Sequence, residues 1–188
     1  NLIGFEPNNN EFQKLDKNNP KKKYYDFAIG DGTEKILNVC KAVGMSSFLK
    51  PDLNYLKNFY GFEKWSEIIN KIKVKTKKLT DIKDEINFLK IDVQGYESEI
   101  IKYGKDKIKE CLVVQLETSP TPLYKDEATF ASTIVQLEKL GFSLHMFNNV
   151  NTRSFKPTII SKNPYTGLHH LFQFYCVLIK NFKIIESY

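Results

Sequence analysis

The stretch Ile86 to Gly104, INFLKIDVQGYESEIIKYG, constrains the fold more than any other part of the chain. Its first half, Ile86-Asn87-Phe88-Leu89-Lys90-Ile91, is apolar and β-prone with few charges, the pattern of a strand buried on both faces of a parallel sheet. The run stops at Asp92-Val93-Gln94-Gly95. Tyr96 to Lys102 then reads as a helix, with Ile100 and Ile101 inward and Gly104 as its C-terminal stop. A strand, an acidic glycine turn and a helix in succession put Asp92 at the carboxyl end of a strand. In open α/β sheets that is where ligands bind.

The flanking segments repeat the alternation. Asn1 to Pro7 is a short apolar strand ending in Glu6 and a proline, and Glu11 to Leu15 starts a short helix. Tyr24 to Ile29 is a second buried strand, closed by the tight-turn signal Gly30-Asp31-Gly32, and Glu34 to Val39 is an extended return strand. Between Val43 and Asn70 the pattern changes: Leu53, Leu56, Phe59 and Tyr60, then Phe62, Trp65, Ile68 and Ile69, recur at helical spacing. That predicts one or two short helices over a sheet edge. Ile72 to Leu79 alternates as a half-buried strand with lysines on its solvent face. Cys111 to Leu116 is a buried strand ending at Glu117. Glu127 to Leu140 is the best helix, with Phe130, Ile134, Leu137 and Leu140 on one stripe and Gly141 after it. Phe142 to Phe147 and Phe172 to Ile179 close the chain as strands around a polar loop, Asn148 to His170. Alternating strands and helices argue one doubly wound, mostly parallel α/β sheet. Two final strands without a helix between them argue an antiparallel edge.

Composition narrows the function. A length of 188 residues suits a single domain. The net charge of +6 is almost all lysine, with Arg153 the single arginine, so phosphate and base readout by arginine forks is not encoded. The lysine runs at Lys21 to Lys23 and Lys71 to Lys78 read as solvated faces, and no nucleic-acid partner is expected. With 41% hydrophobic residues and a mean hydropathy of −0.39 the chain reads as soluble and globular. Its longest apolar run, Phe174 to Ile179, is too short to span a bilayer. Cys40, Cys111 and Cys176 are scattered and form no CxxC, which predicts reduced thiols in a cytoplasmic setting and no zinc site.

Several segments together resemble one family, the FkbM-type methyltransferases. Ile3-Gly4-Phe5-Glu6-Pro7 resembles its acidic second-strand ending, and Ala28-Ile29-Gly30-Asp31-Gly32 its third-strand turn. Ser46-Ser47-Phe48 resembles its double-serine loop, Val74 to Leu79 the strand before its central one, and Phe88 to Glu97 its hallmark. Pro122-Leu123-Tyr124, Phe130 and Gly141-Phe142 fit its later helix region, and the order is the family's as far as about Phe147.

The resemblance implies a class I, Rossmann-like fold, S-adenosylmethionine as cofactor, and transfer of methyl to a hydroxyl of a sugar, glycan or secondary metabolite. It implies that Glu6 accepts the ribose hydroxyls and that Ala28 and Ile29 flank the adenine. For these three the alternatives are a surface acid and plain core. Asp92 is the first candidate general base, and also a candidate to bind the acceptor hydroxyl or the cofactor's amino group; a helix cap is the structural alternative. Glu117 is the second candidate base, against a loop acid. Glu97 is expected to reach back to loop amides, and His145 to be a satisfied structural histidine. His169 and His170 suggest no metal.

Two departures stand out: Gln94 occupies the place of the family's usual glutamate, and the glycine-rich turn after the first strand does not occur. The sequence therefore predicts an open slot between the strands ending at Glu6 and Asp92, to be filled by a βα unit lying upstream of Asn1. A second functional reading, a non-catalytic or degenerate α/β nucleotide-binding module, stays open on these departures.

Overall fold

The computed structural model describes residues 1–181. Among them the order is β1 (Leu2–Phe5), α1 (Asn9–Phe12), β2 (Lys22–Tyr25), β3 (Ala28–Ile29), β4 (Glu34–Cys40), α2 (Leu53–Leu56), α3 (Phe62–Trp65) and β5 (Ile68–Lys77). There follow β6 (Phe88–Ile91), α4 (Glu97–Ile108), β7 (Val113–Thr118), α5 (Phe130–Glu138), β8 (Phe142–Arg153) and β9 (His170–Lys180).

The strands form three hydrogen-bonded groups, β1-β2, β3-β5-β4 and β6-β7-β9-β8. The ladders β1–β2, β3–β5 and β6–β7 are parallel, while β4–β5, β7–β9 and β8–β9 are antiparallel. The sheet structure is thus evenly mixed, not mostly parallel. The β4–β5 ladder closes across the excursion that carries α2 and α3, and the β8–β9 ladder across the loop between Arg153 and His170. The antiparallel edge expected from the last two strands is present, and no ladder joins β1 to β6 among the described residues.

Four local differences have physical causes. Residues 24–29 do not form one strand: the chain bends at Asp26 and Phe27, so β2 pairs with β1 while β3 pairs with β5. The rings of Phe5, Tyr25 and Phe27 pack together at that bend. β6 is not buried on both faces. Phe88 is 55% exposed and only Ile91 is buried, and among the described residues β6 is an edge strand with a partner on one side alone. Gly104 does not end α4, which runs on to Ile108. A Cβ there would lie 3.0 Å from the Leu79 Cβ, so the glycine permits close approach to the 3₁₀ turn Leu79–Asp81. β8 continues to Arg153 through the start of the expected polar loop, with register shifts around the asparagines. His145 sits exposed at one of those bulges, not packed as a structural histidine.

The main core places Ile100, Ile101 and Ile108 of α4 and Leu137 of α5 against Val114, Leu116 and Leu178 of the sheet. Burial on this scale supplies the driving force for the layers, at about 1.5–3 kcal/mol for each large side chain. The excursion expected between β4 and β5 folds as α2 and α3. Its Leu56, Phe59 and Phe62 pack with Tyr124 and Phe172 in a second cluster, so its aromatic density is packing. Alternation in β5 buries Val74 and Thr76 and leaves Lys71, Lys73, Lys75 and Lys77 exposed.

Candidate functional site

The site grows from the turn after β6. Gln94 takes a left-handed conformation at φ 55° and Gly95 follows at φ 93°. That geometry is costly for a side-chain-bearing residue and easy for glycine. Gly95 is required for a second reason: a Cβ there would lie 2.9 Å from the Tyr124 ring and 3.2 Å from the Glu127 carboxyl carbon. Glu97, buried in the first turn of α4, holds the turn from beneath, accepting from the backbone N–H of Val93 at 3.0 Å and Gly95 at 3.2 Å. This is the reach-back expected of it. The Ser47 hydroxyl donates to the Gln94 carbonyl at 2.7 Å.

Above this turn two carboxylates meet. Asp92 reaches solvent and accepts three hydrogen bonds, from Tyr175 Oη (2.6 Å) and Lys90 Nζ (3.0 Å) on Oδ2 and from Gln94 Nε2 (3.1 Å) on Oδ1. Glu117, at the end of β7, is buried, and its Oε2 accepts from the same Gln94 Nε2 at 2.6 Å. Tyr175 lies directly opposite Glu117 in the β7–β9 ladder, so both project to one face. The far end of the amide, Gln94 Oε1, accepts from the Tyr124 hydroxyl at 3.1 Å, which also lies 3.2 Å from the Met45 carbonyl. Glu127 Oε2 accepts from the N–H of Leu123 (2.6 Å) and of Tyr124 (2.9 Å).

The two carboxylates are driven apart in proton affinity. Partial burial opposes the charge on Asp92, but the hydrogen bonds from Tyr175 and Lys90 outweigh it and hold the carboxyl below its usual range. Burial, and then the neighbouring Asp92 charge, push Glu117 up to about 7. Burial likewise raises Glu97 to about 8 and Glu127 to about 7. Two nearby acids with opposed shifts are the usual signature of an acid–base assignment.

Apart from Asp92, the candidate cofactor residues stand on separate strands, and Phe5, next to Glu6, and Ile29 pack on the same core cluster as Ile91, Val93 and Leu116. Glu6 follows β1 and is half-buried; its Oε1 accepts from the Asn8 N–H at 2.8 Å, and burial raises its proton affinity. Ala28 and Ile29 form β3 and are each 8% exposed, Ile29 in the main core and Ala28 in a cluster with Leu37 and Val74. The structure therefore brings Asp92 and Glu117 together and joins Glu6, Ala28 and Ile29 to them by no hydrogen bond among the described residues. His170 hydrogen-bonds Tyr55 at 2.8 Å and stacks on Phe59. Sequence reasoning missed Tyr175, Tyr124 and Glu127. Tyr175, half-buried between the buried Phe174 and Cys176 of β9, was a usable signal, because alternation in a strand turns its phenol to the opposite face from them.

The fold is mixed α/β, with an acid pair at the ends of two adjacent parallel strands. Residues 1–144 match the family model described as the methyltransferase FkbM domain. The chain belongs to this FkbM methyltransferase family. No curated protein and no solved structure matched it. No helix among the described residues is long and apolar enough to cross a membrane.

Proposed function

We propose that the protein is an S-adenosylmethionine-dependent O-methyltransferase of class I, Rossmann-like type, acting on a hydroxyl of a sugar, glycan or secondary metabolite. The observation that carries this reading is the split acid pair: Asp92 exposed with three donors, and Glu117 buried against the Gln94 amide. The cofactor supplies an electrophilic methyl group on a sulfonium. An alcohol acceptor must lose its proton as it attacks, so a positioned base near neutral proton affinity speeds the step.

The structure favours a different division of labour from the one expected from sequence. Asp92, the first candidate base, is held ionised by three donors and keeps acceptor room on Oδ1, so it suits an anchor for the acceptor hydroxyl or the cofactor's amino group. Glu117, with its raised proton affinity, is the better general base. Glu6 has Oε1 engaged and no hydrogen bond to Oε2 among the described residues, which fits acceptance of a ribose hydroxyl. Ala28 and Ile29 offer an apolar floor for an adenine edge. The free, buried Cys40, Cys111 and Cys176 fit a reducing, cytoplasmic setting.

Calorimetry with S-adenosylhomocysteine tests the reading. The protein is expected to bind it, and Glu6→Ala to weaken binding by about 1.5–3 kcal/mol, the worth of charge-assisted hydrogen bonds. Absence of binding to the folded protein would favour the non-catalytic module instead.

A further inference from the structure

We infer that Tyr124 and Glu127 are positioning residues for the carboxylate pair: they fix which way the Gln94 amide faces and so hold its Nε2 between Asp92 and Glu117. The consequence for catalysis rests on the general-base role proposed for Glu117; the geometry does not.

The Gln94 side chain has two ends to satisfy. Its Nε2 lies 2.6 Å from Glu117 Oε2 and 3.1 Å from Asp92 Oδ1. Reversing the amide would set its oxygen against both carboxylates and remove the 2.6 Å donor from Glu117. What secures the observed orientation at the other end is the Tyr124 hydroxyl, 3.1 Å from Gln94 Oε1. Tyr124 is 2% exposed, so solvent does not replace that donor. Its single proton lies between Gln94 Oε1 and the Met45 carbonyl, and the balance depends on where the ring sits.

Glu127 sets the ring. Its Oε2 takes the N–H of both Leu123 and Tyr124, closing a turn in which Asp126 is left-handed at φ 63°. From the opposite side Glu97 holds Val93 and Gly95, so the two acids clamp the turns that carry Tyr124 and Gln94. The bare Gly95 lets Tyr124 and Glu127 approach the Gln94 turn. Around Glu117 the charged and titratable groups are Asp92, Tyr175 and Tyr124, with Lys90 beyond Asp92 and with Glu97 and Glu127 behind the turn.

The test follows the Glu117 carboxyl by carbon-13 NMR of protein labelled at glutamate, its resonance assigned by loss in Glu117→Gln. Donation from Gln94 favours the charged form, so loosening the amide should raise the Glu117 midpoint. Tyr124→Phe and Glu127→Ala are each expected to shift it upward by about one pH unit, part of a charge-assisted hydrogen bond. Glu127→Gln, whose amide oxygen still accepts both N–H groups, is expected to leave it in place. Variants that melt earlier yet leave the midpoint unmoved would overturn the inference and make both residues merely structural. A shift in Tyr124→Phe alone, with Glu127→Ala folded and unshifted, would overturn the part assigned to Glu127. Tyr124→Phe removes one hydroxyl and keeps the packed ring, so it decides the question where Glu127→Ala does not fold. The readout needs neither cofactor nor acceptor, so failure here is distinct from failure to bind S-adenosylhomocysteine.

Discussion

Replacing Gln94 by glutamate probes the site at its centre. The amide nitrogen is 2.6 Å from one carboxylate oxygen and 3.1 Å from another, and Gln94→Glu puts an anionic oxygen in its place. Two unit charges at about 4 Å repel by roughly 4 kcal/mol at an effective dielectric near 20, and here there are two such pairs. The protein avoids that cost by keeping a proton on one of the three carboxyls. The introduced acid, when protonated, donates one hydrogen bond where the amide donated two, so at mildly acid pH the loss is about one charge-assisted bond, roughly 1.5–3 kcal/mol. For a chain of this size that lowers Tm by roughly 3–12 °C. The folded-state proton affinity of the introduced carboxyl lies above its unfolded value. Its penalty is therefore smallest below the ordinary glutamate range and grows as pH rises through neutrality. Thermal melts of both proteins at pH 5 and pH 8 measure this, and the gap should widen at pH 8. A divalent cation such as Mn²⁺ should narrow the gap in the variant and leave the parent protein unchanged, since three convergent carboxylates attract a hard cation. A Gln94→Glu protein that melts with its parent at both pH values would refute the idea that the amide bridges the two acids.

Two further outcomes follow from the same geometry. Gly95→Ala should lower stability by about 1–2 kcal/mol from its left-handed backbone alone, and by more from contact with the Tyr124 ring, read as a lower urea midpoint. Glu97, Glu117 and Glu127 all have folded values raised above their unfolded ones, so their contribution is full below about pH 4 and is lost as pH rises through about 7 to 8. The melting temperature should accordingly fall between pH 5 and pH 8, and Glu117→Gln should flatten that slope.

What the sequence made legible was local. Asp92 at a strand end, Glu97 reaching back to the turn just before it, the alternating lysines of β5 and the final hairpin all follow from short-range periodicity and turn chemistry. What escaped depended on partners distant in the chain. Gly104 looks like a helix stop until Leu79 is known to press against it. Phe88 looks buried until β6 is seen to have, among the described residues, a strand neighbour on one side only. The local sequence around Asp92 gives no sign of the donor that Tyr175, 83 residues away, supplies to it. Gln94, a departure from the family pattern, proves to be the bridge between the two acids, because an amide can donate to both at once while a carboxylate cannot.

The most direct test of the central claim is transfer of labelled methyl from S-adenosylmethionine to a panel of hydroxyl-bearing sugars, glycans and small metabolites, compared for the parent protein and Glu117→Gln between pH 6 and pH 8. The expected result is a methyl ether product whose rate of formation rises with pH through about 7 as Glu117 loses its proton. In Glu117→Gln that rate should fall by about 10²–10⁴-fold, the usual worth of a positioned base. Transfer at the parent rate by a folded Glu117→Gln protein, with an unchanged pH profile, would contradict the assignment.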